Sequence, residues 1–278
     1  IGYYLGFYDP FLYKGIHSMA VDIYGPFLRL APGTFANEYG KILQTTGILL
    51  LGFIFMTPWA IPKWRRFLYW LFLLLLIFSL ILNFSRASWF IFALASFVIL
   101  LLARLKWSTF LMFSFLIAGL IYTLLQLPQW LGTADTLQFV QQRFSELSDP
   151  TTLSAGQRLF AWNLTWENFL ENPWIGNGWG LFAFTHNVPL QILAEIGIIG
   201  AFAFFFLLIW IGWYMMRGWF QAKDPFLKQT QLSLFMAYLG CIAFDLTNHG
   251  VVHFIFWFVI ALGLATARLN QTQTAENT

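Results

Sequence analysis

Between residues 42 and 267 the sequence is a succession of apolar runs, each closed by a short connection that carries charges, glycine or proline. The runs fall at 42–57, 67–83, 87–103, 110–127, 189–213, 232–246 and 251–267. No other feature restricts the fold as much. A backbone in hydrocarbon has no water to bond, so it must be helical or close into a barrel. Runs of this length suit helices rather than the short alternating strands of barrels, although several fall short of the ~20 residues of a perpendicular span. The expected fold class is therefore all-α, a polytopic transmembrane helical bundle of about seven spans. Composition agrees. Charged residues make up 10% of the chain, against about 25% in a soluble domain, and the deficit is spread along its length.

The connections alternate in charge. Most of the lysines and arginines lie in 62–66, 104–106, 217–228 and at Arg268, and the positive-inside rule puts that set in the cytoplasm. The opposite set then owns the one long loop. This divides the chain into a non-spanning outer or interfacial segment (1–41), a four-helix membrane part (42–127), a large periplasmic loop (128–188), a three-helix membrane part (189–267) and a cytoplasmic tail (268–278). Loops longer than ~12–15 residues are usually functional or disordered, and this one carries its own helix. Ser154 with Gln157 forms a capping-box pattern, and Asn172-Pro173 is a stop. Trp162, Trp166, Phe169 and Leu170 recur at helical spacing, so the helix is amphipathic and is expected to lie on the membrane surface. The "NPWIGNGWG" that follows reads as turn geometry, because no strand precedes it as a phosphate loop requires.

Some classes are excluded early. The net charge is +3 and the basic residues form no stripe, so nucleic acid is not an expected partner. A lone Cys241 excludes an internal disulfide and a thiolate metal cluster. The chain begins at Ile1, which reads as a fragment or a renumbered piece.

The outer face keeps a short set of chemically capable residues: Arg29, Arg86, Arg158, His186, Glu195, Asp245, His249 and His253. Each has a plain reading beside a functional one. Arg86 either snorkels to lipid phosphates or binds substrate. Arg158 sits in the first turn of the loop helix, where a cation is unfavourable unless an anion accompanies it. His186-Asn187 precedes Pro189, so Asn187 suits an N-cap. Gln191 stands one turn before Glu195, so a polar stripe is expected to descend from the helix mouth to a carboxylate roughly 9–14 Å along it. Gly197 and Ala201 read as a small-xxx-small packing pair. Asp245, His249 and His253, spaced by four, are placed to share one helical face; a polar cavity lining suits them better than zinc.

These residues resemble a known family. His186-Asn187, nine further residues and then Gly197-Ile-Ile-Gly200 is similar to the hallmark of the O-antigen ligase and polymerase superfamily. "GQRLFAWNLTWENFLENPWIGNGWGLF", "NFSRASW" and "RLAPGTFANEYGKI" resemble other segments of that family in the same order, over roughly residues 29–213. The resemblance implies an N-terminally incomplete member and an integral-membrane glycosyltransferase of the GT-C type. It would sit in the bacterial inner membrane with its site facing the periplasm. It would take a glycan from undecaprenyl diphosphate and pass it to a glycan or lipid A-core acceptor, with no metal or cofactor. Arg86 and Arg158 would then hold the diphosphate and His186 would act at the acceptor. Arg29, Trp162, Asn187, Gln191 and Glu195 would bind substrate, Arg29 in a context that departs from the family's at Asn37-Glu38. The chemistry suits the residues: guanidiniums make bidentate bonds to phosphate, and an imidazole with an ordinary pKa of about 6.5 suits a general base. A transporter of a small anion or lipid-linked sugar, and a non-catalytic envelope partner, are the competing classes. Polymerase, ligase and protein-glycosylating activities remain open; a tail without a further domain disfavours the last.

Overall fold

The computed structural model of the chain describes residues 36–56, 62–83, 85–102, 153–180, 185–248 and 253–276, with Leu111, Phe115, Gly119 and Tyr122 as isolated positions. Seven helices are bounded within these residues: α1 (Ala36–Met56), α2 (Lys63–Leu82), α3 (Arg86–Leu102), α4 (Leu153–Glu171), α5 (Val188–Gln221), α6 (Pro225–Asp245) and α7 (Phe254–Glu276). No strand occurs among the described residues. By length and composition, α2, α5 and α7 are long and apolar enough to cross a membrane, and α3 is a shorter apolar helix. The all-helical membrane fold expected from the apolar runs is the one observed. The four isolated positions are helical and fall in the run at 110–127, most of which lies outside the described residues.

Helix ends depart from the ends of the apolar runs, because caps and prolines set them. α1 begins at Ala36, six residues before the run at 42, and so takes Glu38 and Lys41 into its first turns. α5 continues to Gln221 and α6 starts at Pro225. The Asp224 carboxylate caps α6 by accepting from Leu227 N at 2.8 Å, as short polar side chains do at helix starts.

That tight turn makes α5 and α6 antiparallel neighbours. Gln231 Nε2 donates to Met215 O at 3.0 Å, and Tyr238 Oη donates to Leu208 O at 2.6 Å. Continuing this register brings Asp245, the last residue of α6, level with Ala201. The first turns of α5 therefore project beyond the end of α6, and there α4 packs against them.

α6 is the central element, packed against α1, α3, α5 and α7, while α1 also contacts α2 and α3. Ile48, Leu51, Ile99, Met215, Leu232, Tyr238 and Val259 fill one continuous core. Small residues let helices approach, as is usual for packing in membranes. A Cβ on Gly218 would stand 2.6 Å from that of Ala267.

Candidate functional site

The geometry is built from the start of α5. Asn187 is its N-cap, its side-chain oxygen accepting from Leu190 N at 2.9 Å, with Pro189 in the first turn. His186, just outside the cap, is held at φ 53°, an uncommon region for a residue with a Cβ. The preceding Thr185 is buried, and its hydroxyl lies 3.0 Å from that of Thr165 on α4. Thr165 also donates to Ala161 O at 2.7 Å. Arg158, Trp162, Thr165 and Phe169 share one face of α4 by their spacing. Thr165 and Phe169 are buried there, and Arg158 and Trp162 are half-buried. The face that carries Arg158 and Trp162 is thus the one docked beside His186. The Trp162 indole nitrogen is buried without a hydrogen-bond partner among the described residues.

Trp162, Trp166, Phe169 and Leu170 do not share one face of α4 as expected. Phe169 turns inward, whereas Trp166 and Leu170 are exposed with Leu159, Phe160 and Leu164. The inward face answers to α5 rather than to lipid.

Gln191 and Glu195 are joined: Gln191 Nε2 donates to Glu195 Oε1 at 3.0 Å, and Glu195 is 1% exposed. The uninterrupted helix expected below them is corrected. Gly197 has φ 67° and ψ −177°, a conformation open essentially only to glycine, and it breaks α5. The freed backbone groups pair with the turn after α4. Asn177 N donates to Ala194 O and Gly178 N to Glu195 O, both at 2.9 Å, while Ile198 N donates to Pro173 O at 2.8 Å and Ile199 N to Trp174 O at 3.3 Å. Asn177 Nδ2 donates to Asn168 O at 2.7 Å, which ties the turn to α4. A Cβ on Gly197 would meet the Trp174 backbone at 2.4 Å, and one on Gly176 the Glu195 backbone at 2.3 Å. Gly197 is therefore a point of close approach, but its partner is a turn and not another helix, contrary to the small-xxx-small reading. Gly176, Gly178 and Gly180 all have positive φ, and the glycine-rich stretch is the turn its sequence suggested.

Arg86 belongs to a second group. It opens α3, beside the buried Asn83, Ser85 and Ser88. The hydroxyls of Ser85 and Ser88 are 2.9 Å apart, and both residues crowd Gly40 of α1. Arg86 and His186 lie at the same end of the bundle, since both α3 and α5 start there. Arg29 and His249 lie outside the described residues.

Asp245 and His253 do not share a helical face as expected. α6 ends at Asp245 and α7 begins after His253, and both partners are on α1. Lys41 Nζ lies 2.7 Å from Asp245 Oδ1, with the lysine fully buried and 5.8 and 5.3 Å from the ring centres of Phe244 and Phe256. His253 Nε2 lies 3.3 Å from Glu38 Oε1. Lys41 was absent from the residues singled out above, and Glu38 was noted only as a departure from the family's context. The signal that finds them is a polar stripe at Glu38, Lys41 and Thr45, at helical spacing, which a span edge at 42 cuts in two. Among the described residues, no group of three or more His, Cys, Asp or Glu is placed to hold a metal.

Residues 71–205, just under half the chain, match the family model described as O-antigen ligase. The match runs from α2 through α3 and α4 into α5, and includes Arg86, Arg158, Trp162, His186, Asn187, Gln191 and Glu195. Arg29, Lys41 and Asp245 fall outside it. No curated protein matches the chain significantly.

Proposed function

We propose that the chain belongs to the O-antigen ligase family that residues 71–205 match and, with three helices long and apolar enough to cross a membrane, transfers a glycan from undecaprenyl diphosphate to an acceptor hydroxyl at the periplasmic face of the bacterial inner membrane. The acceptor is a growing polysaccharide or a lipid A core. The observation that carries this reading is the docking of α4 on the start of α5. The 3.0 Å contact between Thr165 and Thr185 sets His186 beside the face of α4 that bears Arg158 and Trp162.

In this reading His186 removes the proton from the acceptor hydroxyl as its oxygen attacks the anomeric carbon of the donor. The bond from that carbon to the diphosphate oxygen breaks, and the lipid diphosphate departs with the bonding pair. The guanidiniums of Arg158 and Arg86 neutralise the developing charge through paired N–H donors, so no metal is required. Trp162 presents its indole to the phosphate or sugar, and Arg29 adds a contact to the donor. Asn187 acts through its cap, which fixes the start of α5 beneath His186. Gln191 and Glu195, joined by their hydrogen bond, serve the acceptor side of the site.

Mass analysis of the envelope glycans in a deletion strain tests the proposal. Loss of polymer with single repeats retained identifies a polymerase; polymer stranded on its lipid carrier identifies a ligase. Unchanged envelope glycans would sink the reading.

A further inference from the structure

Irregular backbone is tolerated at membrane depth only where it is buried in protein or lines a water-filled cavity. Two such stretches meet in this chain. The break in α5 at Gly197 frees peptide groups on either side, and the turn at 173–178 takes up four of them through Asn177 N, Gly178 N, Pro173 O and Trp174 O. Gly176 N is bonded within the turn to Asn172 O at 2.9 Å. The clasp thus presents little unpaired backbone on the flank where it meets α5.

Its side chains have the opposite character. Trp174 is 65% exposed and Ile175 75% exposed, and across the clasp Ile198 and Ile199 are exposed too. Ile198, Ile199, Phe202 and Phe206 fall on one side of α5 by helical spacing. All four are exposed, and the Phe202 and Phe206 rings stack at 6.3 Å. An apolar face of the longest membrane-crossing helix therefore runs without a polar interruption up to the turn's tip. The α5–α6 register places Gly197 one turn beyond the end of α6, which is the bundle's margin and not its middle.

We propose that the Trp174–Ile175 turn is inserted among the phospholipid acyl chains of the leaflet at this end of the bundle, as a backbone-paired wedge that anchors α4. The occupant is lipid and not a second copy, because the patch continues the flank of a helix that crosses the bilayer. It stands apart from the proposed reaction, and a failure of either leaves the other intact.

The single buried Cys241 makes the test direct. In a Cys241→Ala background, spin labels are placed at Ile175→Cys and Ile199→Cys, and the protein is reconstituted in phospholipid nanodiscs. Relaxation by oxygen, which partitions into hydrocarbon, is compared with relaxation by a water-soluble nickel chelate. Labels at Phe206→Cys and Lys223→Cys give the scale, one on the lipid-facing flank of α5 and one in the exposed turn before α6. Both clasp labels are expected to favour oxygen, as the label at 206 does. A nickel preference like that at 223 would overturn the wedge. Exclusion of both relaxants would also overturn it, because a protein surface would then cover the turn.

Discussion

His186 sits in a backbone conformation that costs about 1–2 kcal/mol for a side chain with a Cβ, and the cap at Asn187 and the buried Thr185 hold it there. A substitution that removes the imidazole without altering that strain separates chemistry from folding. Asn tolerates positive φ, so His186→Asn should melt like the parent and lose roughly a hundredfold or more in transfer, the range of a general base. A reconstituted assay with a lipid-linked glycan donor reads this directly; transfer near the parental rate would remove His186 from the mechanism. Arg158→Lys keeps the charge and loses the two-pronged contact. Replacing charged hydrogen bonds worth about 1.5–3 kcal/mol should slow transfer roughly ten- to a hundredfold, with the melting temperature little changed because Arg158 is only half-buried. Transfer unchanged in Arg158→Lys would assign that arginine to the surface.

At the scale of elements, the Gly197-Ile-Ile-Gly200 pair is two different devices. Gly197 needs both its positive φ and its missing Cβ, since the Trp174 backbone leaves no room. At Gly200 a Cβ would meet the side chain of Ile196 at 2.8 Å, its Cβ included, a collision set against about 1 kcal/mol of helix propensity gained by alanine. Gly197→Ala and Gly176→Ala are therefore expected to cost several kcal/mol, by strain of about 1–3 kcal/mol plus the backbone collision. Gly200→Ala should cost clearly less than either, because it needs no positive φ and meets a side chain rather than the backbone of another segment. Thermal melts in detergent decide it, and equal melting of Gly197→Ala and Gly200→Ala would contradict the break. This break was illegible in the sequence for a physical reason. Hydropathy registers side chains, and α5 is apolar on both sides of Gly197, whereas the break exists because a turn twenty residues earlier supplies backbone partners. The cap at Asn187-Val188-Pro189, the loop helix at 153–171 and the glycine turn after it were legible, because each is encoded by residues next to one another.

At the scale of the molecule, the family match stops at residue 205, yet α1, α6 and α7 form the centre and one wall of the bundle. What joins that wall at the site's end is the Lys41–Asp245 pair, with Glu38 and His253 beside it. Sequence reading kept Asp245 and lost Lys41, because charge pairing across two hundred residues leaves no local trace. Burying two charges is expensive, and removing one partner strands the other, at about 3–5 kcal/mol. Lys41→Met and Asp245→Leu should each destabilise by that amount. The double variant Lys41→Met with Asp245→Leu should recover most of it, since an apolar pair of similar volume is often as stable as a buried ion pair. A double variant that melts like the parent and transfers glycan normally makes the pair a device for helix register. One that melts normally but is inactive makes it part of the site, reaching Arg86 through the contact of Gly40 with Ser85 and Ser88. Losses that simply add in the double variant would show that the two charges do not depend on each other, against their 2.7 Å contact.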